Sequence, residues 1–172
     1  MEGLKMVAEL MAISAKTAPK SGGQDYVAIE IVEGDAVQRL AESMVKFGED
    51  KKKANFDRDG KSTRESDVVV LIGLKEDKPL GINCGACGYA SCKELTQVKK
   101  GEVEFRGPHC AFRLLDMGIA LGSAVKTAGL LNADNRIMYR IGTAARNMGF
   151  VDWEVVMGIP LSATGKSIYF DR

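Results

Sequence analysis

The sequence is short of several things, and each shortage removes a class of function. Neither charge is in excess: 24 Lys and Arg against 23 Asp and Glu leave a formal net charge of +1. Nothing electrostatic therefore draws the chain to nucleic acid or to an anionic membrane surface. No apolar run reaches the roughly 20 residues that span a bilayer. The opening MEGLKMVAELMAISAK carries acidic residues and lacks the apolar core of a secretory leader. A soluble, cytoplasmic protein is expected. Histidine is nearly absent, with His109 alone and beside a cysteine, so there is no Ser/His/Asp set. No paired carboxylates stand at helical spacing in an apolar setting. Repeats and low-complexity tracts are also missing. At 172 residues there is enough chain for one domain with a real core and too little for two comfortable ones, so residues 1–172 read as a single domain.

What is present reads as alternating elements. Leu4, Val7, Met11 and Ala15 have helical spacing, and the helix stops at Pro19 and Gly22-Gly23. YVAIEIV (26–32) alternates like a strand with one buried face. A helix follows with Asp35 as N-cap, a stripe of Val37, Leu40, Ala41, Met44 and Val45, and Gly48 as its stop. Residues 49–66 are polar, and Lys51-Lys52-Lys53 reads as part of a solvated loop. DVVVLIGL (67–74) fits a central strand buried on both faces. After the segment 81–110 comes an apolar helix over 110–131, whose Gly118 and Gly122 suit the close approach of another backbone. Asp134 is expected to cap a further helix with Ile137, Met138, Ile141, Ala144, Ala145 and Met148 inward and Gly149 at its end. A last strand covers 152–161. The order predicts a mixed α/β (α+β) fold.

The chemistry concentrates in one place. All four cysteines lie between residues 84 and 110, spaced Cys84-x2-Cys87-x4-Cys92-x17-Cys110. A chain of this size needs no disulfide staples, and inert core thiols would scatter rather than cluster. A metal is left. Structural zinc sites usually pair two short cysteine hooks. Here three cysteines share one tight loop and the fourth stands alone, an arrangement that suits an iron–sulfur cluster held by four thiolates, with zinc as the competing reading. Gly81, Gly85 and Gly88 let the loop bend and turn N–H groups toward sulfur. Ile82, Ala86, Tyr89 and Ala90 are expected to keep water out, and His109 to supply a hydrogen bond near the cluster or stand exposed.

CGACGYASC with a cysteine 17 residues on resembles the four-iron ferredoxin-like module of corrinoid iron–sulfur and related redox proteins. The resemblance implies a [4Fe–4S] cluster ligated by Cys84, Cys87, Cys92 and Cys110. It departs from the bacterial ferredoxin run, since Pro108 and His109 precede the last cysteine. The whole chain is similar to the ferredoxin domain-containing family, which carries one such module.

The rest of the chain has a second resemblance. LMAISAKTAPKSGGQDYVAIEIV, DMGIALGSAVKTAGLL and VVMGIPL are similar, in order, to the first helix, loop and strand, the central helix, and the late strand of FMN-dependent nitroreductases. That implies a sheet flanked by helices, with residues 81–110 as an inserted metal-binding segment, and a homodimer with FMN at the subunit interface. Carried over, Pro19, Lys20, Ser21, Gly22 and Gln24 would lie along the flavin, and Gly158 and Lys166 near its ring edge or phosphate. The arginine-rich start of that family is missing, because the chain opens MEGLK. GIPLSATGKS resembles a P-loop, but six residues separate Gly158 from Gly165 where four are needed, so the tail reads as a docking segment.

Two functions are expected from these readings. One is an iron–sulfur protein that transfers single electrons to a partner protein or a small acceptor, with a flavin coupled to it. The other is a zinc- or cluster-stapled structural or regulatory domain without turnover.

Overall fold

The computed structural model describes residues Glu2–Phe170. A four-stranded sheet has the order β1 (Val27–Glu33), β2 (Val68–Leu74), β6 (Val155–Ser162), β5 (Asp134–Asn135), and every neighbouring pair is antiparallel. Period-2 alternation sends Val68, Val70, Ile72 and Leu74 to one face of β2 and Val69 and Leu71 to the other. The strand is wholly buried as expected, because helices cover both faces. On the first face lie α1 (Glu2–Thr17) and α5 (Ala111–Leu130), which contribute Leu4, Ala8, Met11, Met117, Ala120 and Ala124. On the second lie α2 (Asp35–Lys51), α3 (Phe56–Arg64) and α6 (Tyr139–Asn147), which contribute Leu40, Met44, Phe56, Ile141 and Ala144. The mixed α+β architecture is the one expected.

Four local expectations are corrected. Asp35 is the first helical residue and not the cap; Gly34, at φ 57°, holds the cap position without a side-chain bond. Gly48 does not stop α2, which runs on to Lys51. It is buried inside the helix because a Cβ there would stand 2.5 Å from Cβ of Phe56. Residues 49–66 hold the helix α3, whose inward face is Phe56, Asp59, Gly60 and Thr63. One large apolar residue in about two and a half turns gives hydropathy little to detect; Asp59 is buried because Arg58 and Arg140 pair with it at 2.7 Å each. Asp134 lies in β5 and caps nothing, so α6 begins only at Tyr139, after the Met138 bridge to Gly158.

Register fixes which end of the sheet does what. Val27, Leu74 and Val155 form one end row, and Glu33, Val68 and Leu161 another at the far end. The loop between α1 and β1 and the whole segment after β2 therefore leave from the same end. The segment contains α4 (Cys92–Gln97) and a hairpin of β3 (Gly101–Glu102) with β4 (Arg106–Gly107). The hairpin is hooked to that end by Arg106 N–H donating to the Glu154 carbonyl at 3.1 Å. Lys53 pairs with Glu104 of the hairpin, so this member of the lysine run is not merely solvated. The tail after β6 leaves from the far end and docks on its own chain. Tyr169 is buried with its hydroxyl 2.9 Å from Ser66 Oγ, and Arg136 donates to its carbonyl at 3.1 Å.

Candidate metal centre

The loop bearing three of the thiols is built from tight turns. Gly81, Gly85 and Gly88 all have φ between 73° and 89°, the left-handed region closed to most side chains. The Gly88 N–H donates to the Gly85 carbonyl at 2.9 Å, closing a turn across Cys87. Asn83, at φ 50°, accepts the Cys92 N–H on Oδ1 at 2.9 Å and ties the start of the loop to its end. Ser91 caps α4 by accepting the Glu94 N–H at 3.2 Å, while Glu94 accepts the Ala90 N–H at 3.2 Å, a near-reciprocal capping pair. Buried Leu95 anchors the helix. Cys84 is exposed, Cys87 and Cys92 are half-buried, and all four thiols are free of disulfides. The expected apolar shield is not there: Ile82, Ala86 and Ala90 are exposed and Tyr89 is only half-buried.

Cys110 stands apart from the other three in its surroundings. It is buried, 5% exposed, at the N-cap of α5. Its N–H donates to Asp77 Oδ1 at 3.1 Å, and the other oxygen of Asp77 lies 3.1 Å from His109 Nδ1. His109 Nε2 contacts the Arg106 carbonyl. Both ring nitrogens are thus engaged by protein, which leaves neither for a metal. Lys100 Nζ lies 3.4 Å from Asp77 Oδ2 and 2.9 Å from Glu154 Oε2. Burial by itself would raise the Asp77 carboxyl. The bonds from His109 and from the Cys110 N–H outweigh it and hold the group below the usual carboxylate range.

As a donor set, four free thiols in one segment fit a group that takes four thiolates. The geometry is not assembled: among the described residues, no three His, Cys, Asp or Glu side chains are grouped to hold a metal ion.

The residues assigned to a flavin by resemblance divide. Lys20, Ser21, Gly22 and Gln24 come together in the loop between α1 and β1, a 3-10 turn over Ser21–Gly23. Their polar groups are already taken. Lys20 Nζ donates to the carbonyls of Ala15, Lys16 and Ala18 at 2.7 to 3.0 Å, which caps the end of α1. Ser21 donates from both N and Oγ to Asp116 Oδ1, at 2.8 and 2.7 Å. Arg113, 0% exposed, donates to the Ser21 carbonyl at 3.0 Å, to Gln24 Oε1 at 2.5 Å and to the Lys78 carbonyl at 2.8 Å. It also lies 4.6 Å over the Tyr26 ring. Pro19 is exposed. Gly22 abuts Leu80, whose Cδ1 would stand 3.1 Å from a Cβ there. Gly158 faces the core: a Cβ would fall 2.1 Å from Ile141 Cγ2. Lys166 belongs to the tail at the far end of the sheet, away from the loop. Within the single chain Lys20 is thus spent on the end of α1, Ser21 and Gln24 Oε1 are bonded to α5, and Gly158 and Lys166 lie away from the loop. The Arg113–Asp116 pair was missed in the sequence; two charges in the first turns of an otherwise apolar helix were the available signal.

Gly118 and Gly122 are exposed with nothing of this chain within 4 Å of a Cβ. The close backbone approach expected there does not occur within the chain.

Comparisons with known proteins agree with this division into cysteine segment and body. Residues 81–104 match a family described as "Putative Fe-S cluster", and residues 106–172 match one described as an uncharacterized protein containing a ferredoxin domain. A protein of Archaeoglobus fulgidus is 51% identical over 171 residues, 99% of this chain and 92% of that protein. Among solved structures, the FMN-dependent nitroreductase NfnB from Mycobacterium smegmatis has TM-score 0.60 at 14% identity, over 94% of this chain and 78% of that one. The nitroreductase CinD from Lactococcus lactis has TM-score 0.58 at 14% identity, over 97% and 84%. An oxidoreductase containing FMN has TM-score 0.61 at 12% identity, over 94% and 68%. At these identities the likeness is one of fold.

Proposed function

The chain belongs to the family of proteins containing a ferredoxin domain, and we propose that it is a redox protein carrying one [4Fe–4S] cluster on Cys84, Cys87, Cys92 and Cys110. The observation that carries this reading is the confinement of every thiol, all free, to residues 84–110, three of them on a loop bent by positive-φ glycines. A cluster held by four thiolates supplies one-electron transfer. The residues around it would do the rest. Gly85 and Gly88 keep the loop backbone close to the sulfurs. Exposure of Cys84 and half-exposure of Cys87 leave the loop open to a redox partner or small acceptor. Because the metal's ligands come from both the 84–92 loop and Cys110, its binding would contribute to the stability of the segment. Residues 81–110 then act as an insert in one nitroreductase-like domain. FMN is left out of this reading, because Arg113 and Asp116 hold the loop that would receive it.

A second copy of the chain completes the proposed assembly. Met6, Leu10 and Ile13 on α1 and Leu115 and Ile119 on α5 are 40 to 63% exposed. These side chains, with Gly118 and Gly122, point away from the core on two adjacent helices. Apolar outward faces on neighbouring helices mark an interface, and the open glycine strip leaves room for a helix of the partner. Among the described residues no helix is long and apolar enough to cross a membrane.

The test is iron content after anaerobic reconstitution with iron and sulfide. Cys87→Ala is expected to lose the cluster; iron retained at the wild-type level would reject the ligand assignment.

A further inference from the structure

Asp77 lies outside both segments that match known families. Its side chain is 2% exposed. A carboxylate so buried needs partners, and its partners are unusual: the backbone N–H of Cys110 on Oδ1, and the ring of His109 together with Lys100 on Oδ2. Glu154 shares Lys100, and Arg106 stands 3.9 Å from Glu154. Asp77 therefore reaches the fourth thiol through its main chain, at the point where the segment rejoins the body at α5.

We propose that Asp77 is a positioning residue that fixes Cys110 and lowers the reduction potential of the cluster it helps to hold. The inference rests on the cluster reading above. Two effects have the same sign. The carboxylate occupies the Cys110 N–H, a donor that would otherwise be available to sulfur, and hydrogen bonds to sulfur favour the reduced state. Its negative charge, in a site shielded from water, opposes the arrival of an electron. Lys100 opposes the second by partly neutralising that charge, so the two residues are expected to move the potential in opposite directions.

The experiment is an anaerobic redox titration of the reconstituted full chain, with dithionite as the reductant, for wild type, Asp77→Asn and Lys100→Met. Asp77→Asn keeps an acceptor for Cys110 and removes the charge. It is expected to retain the wild-type iron content and to shift the equilibrium about tenfold toward the reduced form, a rise of about 59 mV for one electron. Lys100→Met is expected to shift it the other way. A potential for Asp77→Asn equal to that of wild type overturns the proposal. Should Asp77→Asn fail to hold a cluster, Lys100→Met decides: a lower potential supports the proposal, and an unchanged or higher one overturns it. Wild-type protein that takes up no iron refutes the cluster reading itself, a failure seen before any variant is measured.

Discussion

Ser21 and Asp116 stand 95 residues apart in the chain and meet with the serine Oγ 2.7 Å from the aspartate Oδ1. Arg113 closes the arrangement, 3.2 Å from the other Asp116 oxygen. The contact joins the loop after α1 to the first turns of α5, the helix whose cap is Cys110. The loop after α1 is thus part of the frame that carries the cysteine segment.

That frame makes a stability prediction. Arg113→Met leaves Asp116 buried with only Ser21 as partner, and is expected to cost about 3–5 kcal/mol, the usual loss when half of a buried ion pair is removed. Urea unfolding measures it. Adding Asp116→Leu should recover part of the loss, because two apolar groups replace two charges. A single variant within about 1 kcal/mol of wild type would show that the pair holds nothing together.

Gly158 separates a packing role from a ligand role. Gly158→Ala puts a methyl group 2.1 Å from Ile141 Cγ2. It is expected to destabilise the fold by about 1–3 kcal/mol through overpacking. Thermal unfolding reads the loss, and an unaltered melting temperature would contradict the packing of α6 on β6 described above.

Tyr169 gives a pH dependence. Burial pushes its phenol up to about 12, although the Ser66 bond pulls the other way. The folded value exceeds the unfolded value near 10, so the fold favours the neutral phenol. The contribution is fully present below about pH 10 and fades as pH rises toward 12, at about 1.4 kcal/mol per unit. Unfolding free energies for wild type and Tyr169→Phe should therefore diverge in slope above pH 10, with wild type falling faster. Parallel slopes would place Tyr169 in solvent.

The apolar outward face predicts self-association. Leu115→Glu with Ile119→Glu is expected to turn a dimer into a monomer in sedimentation velocity, with little change in helix content, since both residues are exposed in the single chain. Wild-type protein that sediments as a monomer would contradict the interface.

The sequence made much of the frame legible, and the reason is local. β2 is seven apolar residues in a row, and α5 is apolar on most sides, so their burial could be read directly. α3 escaped because its buried face is Phe56, Asp59, Gly60 and Thr63, polar or small at three of four positions. The cysteine spacing was readable because thiols are rare and their grouping is chemical. The apolar shield over the loop was not, because whether Ile82 is covered depends on partners distant in sequence. The surroundings of the residues assigned to a flavin were hidden for the same reason: Ser21 and Gln24 look available until α5 folds back and Asp116 and Arg113 bond to them.

The most direct test of the central claim is the absorption spectrum and metal content of protein purified and reconstituted without oxygen. The account predicts about four iron and four sulfide per chain, and a broad band near roughly 400 nm that bleaches with dithionite. A colourless protein holding about one zinc per chain would contradict it.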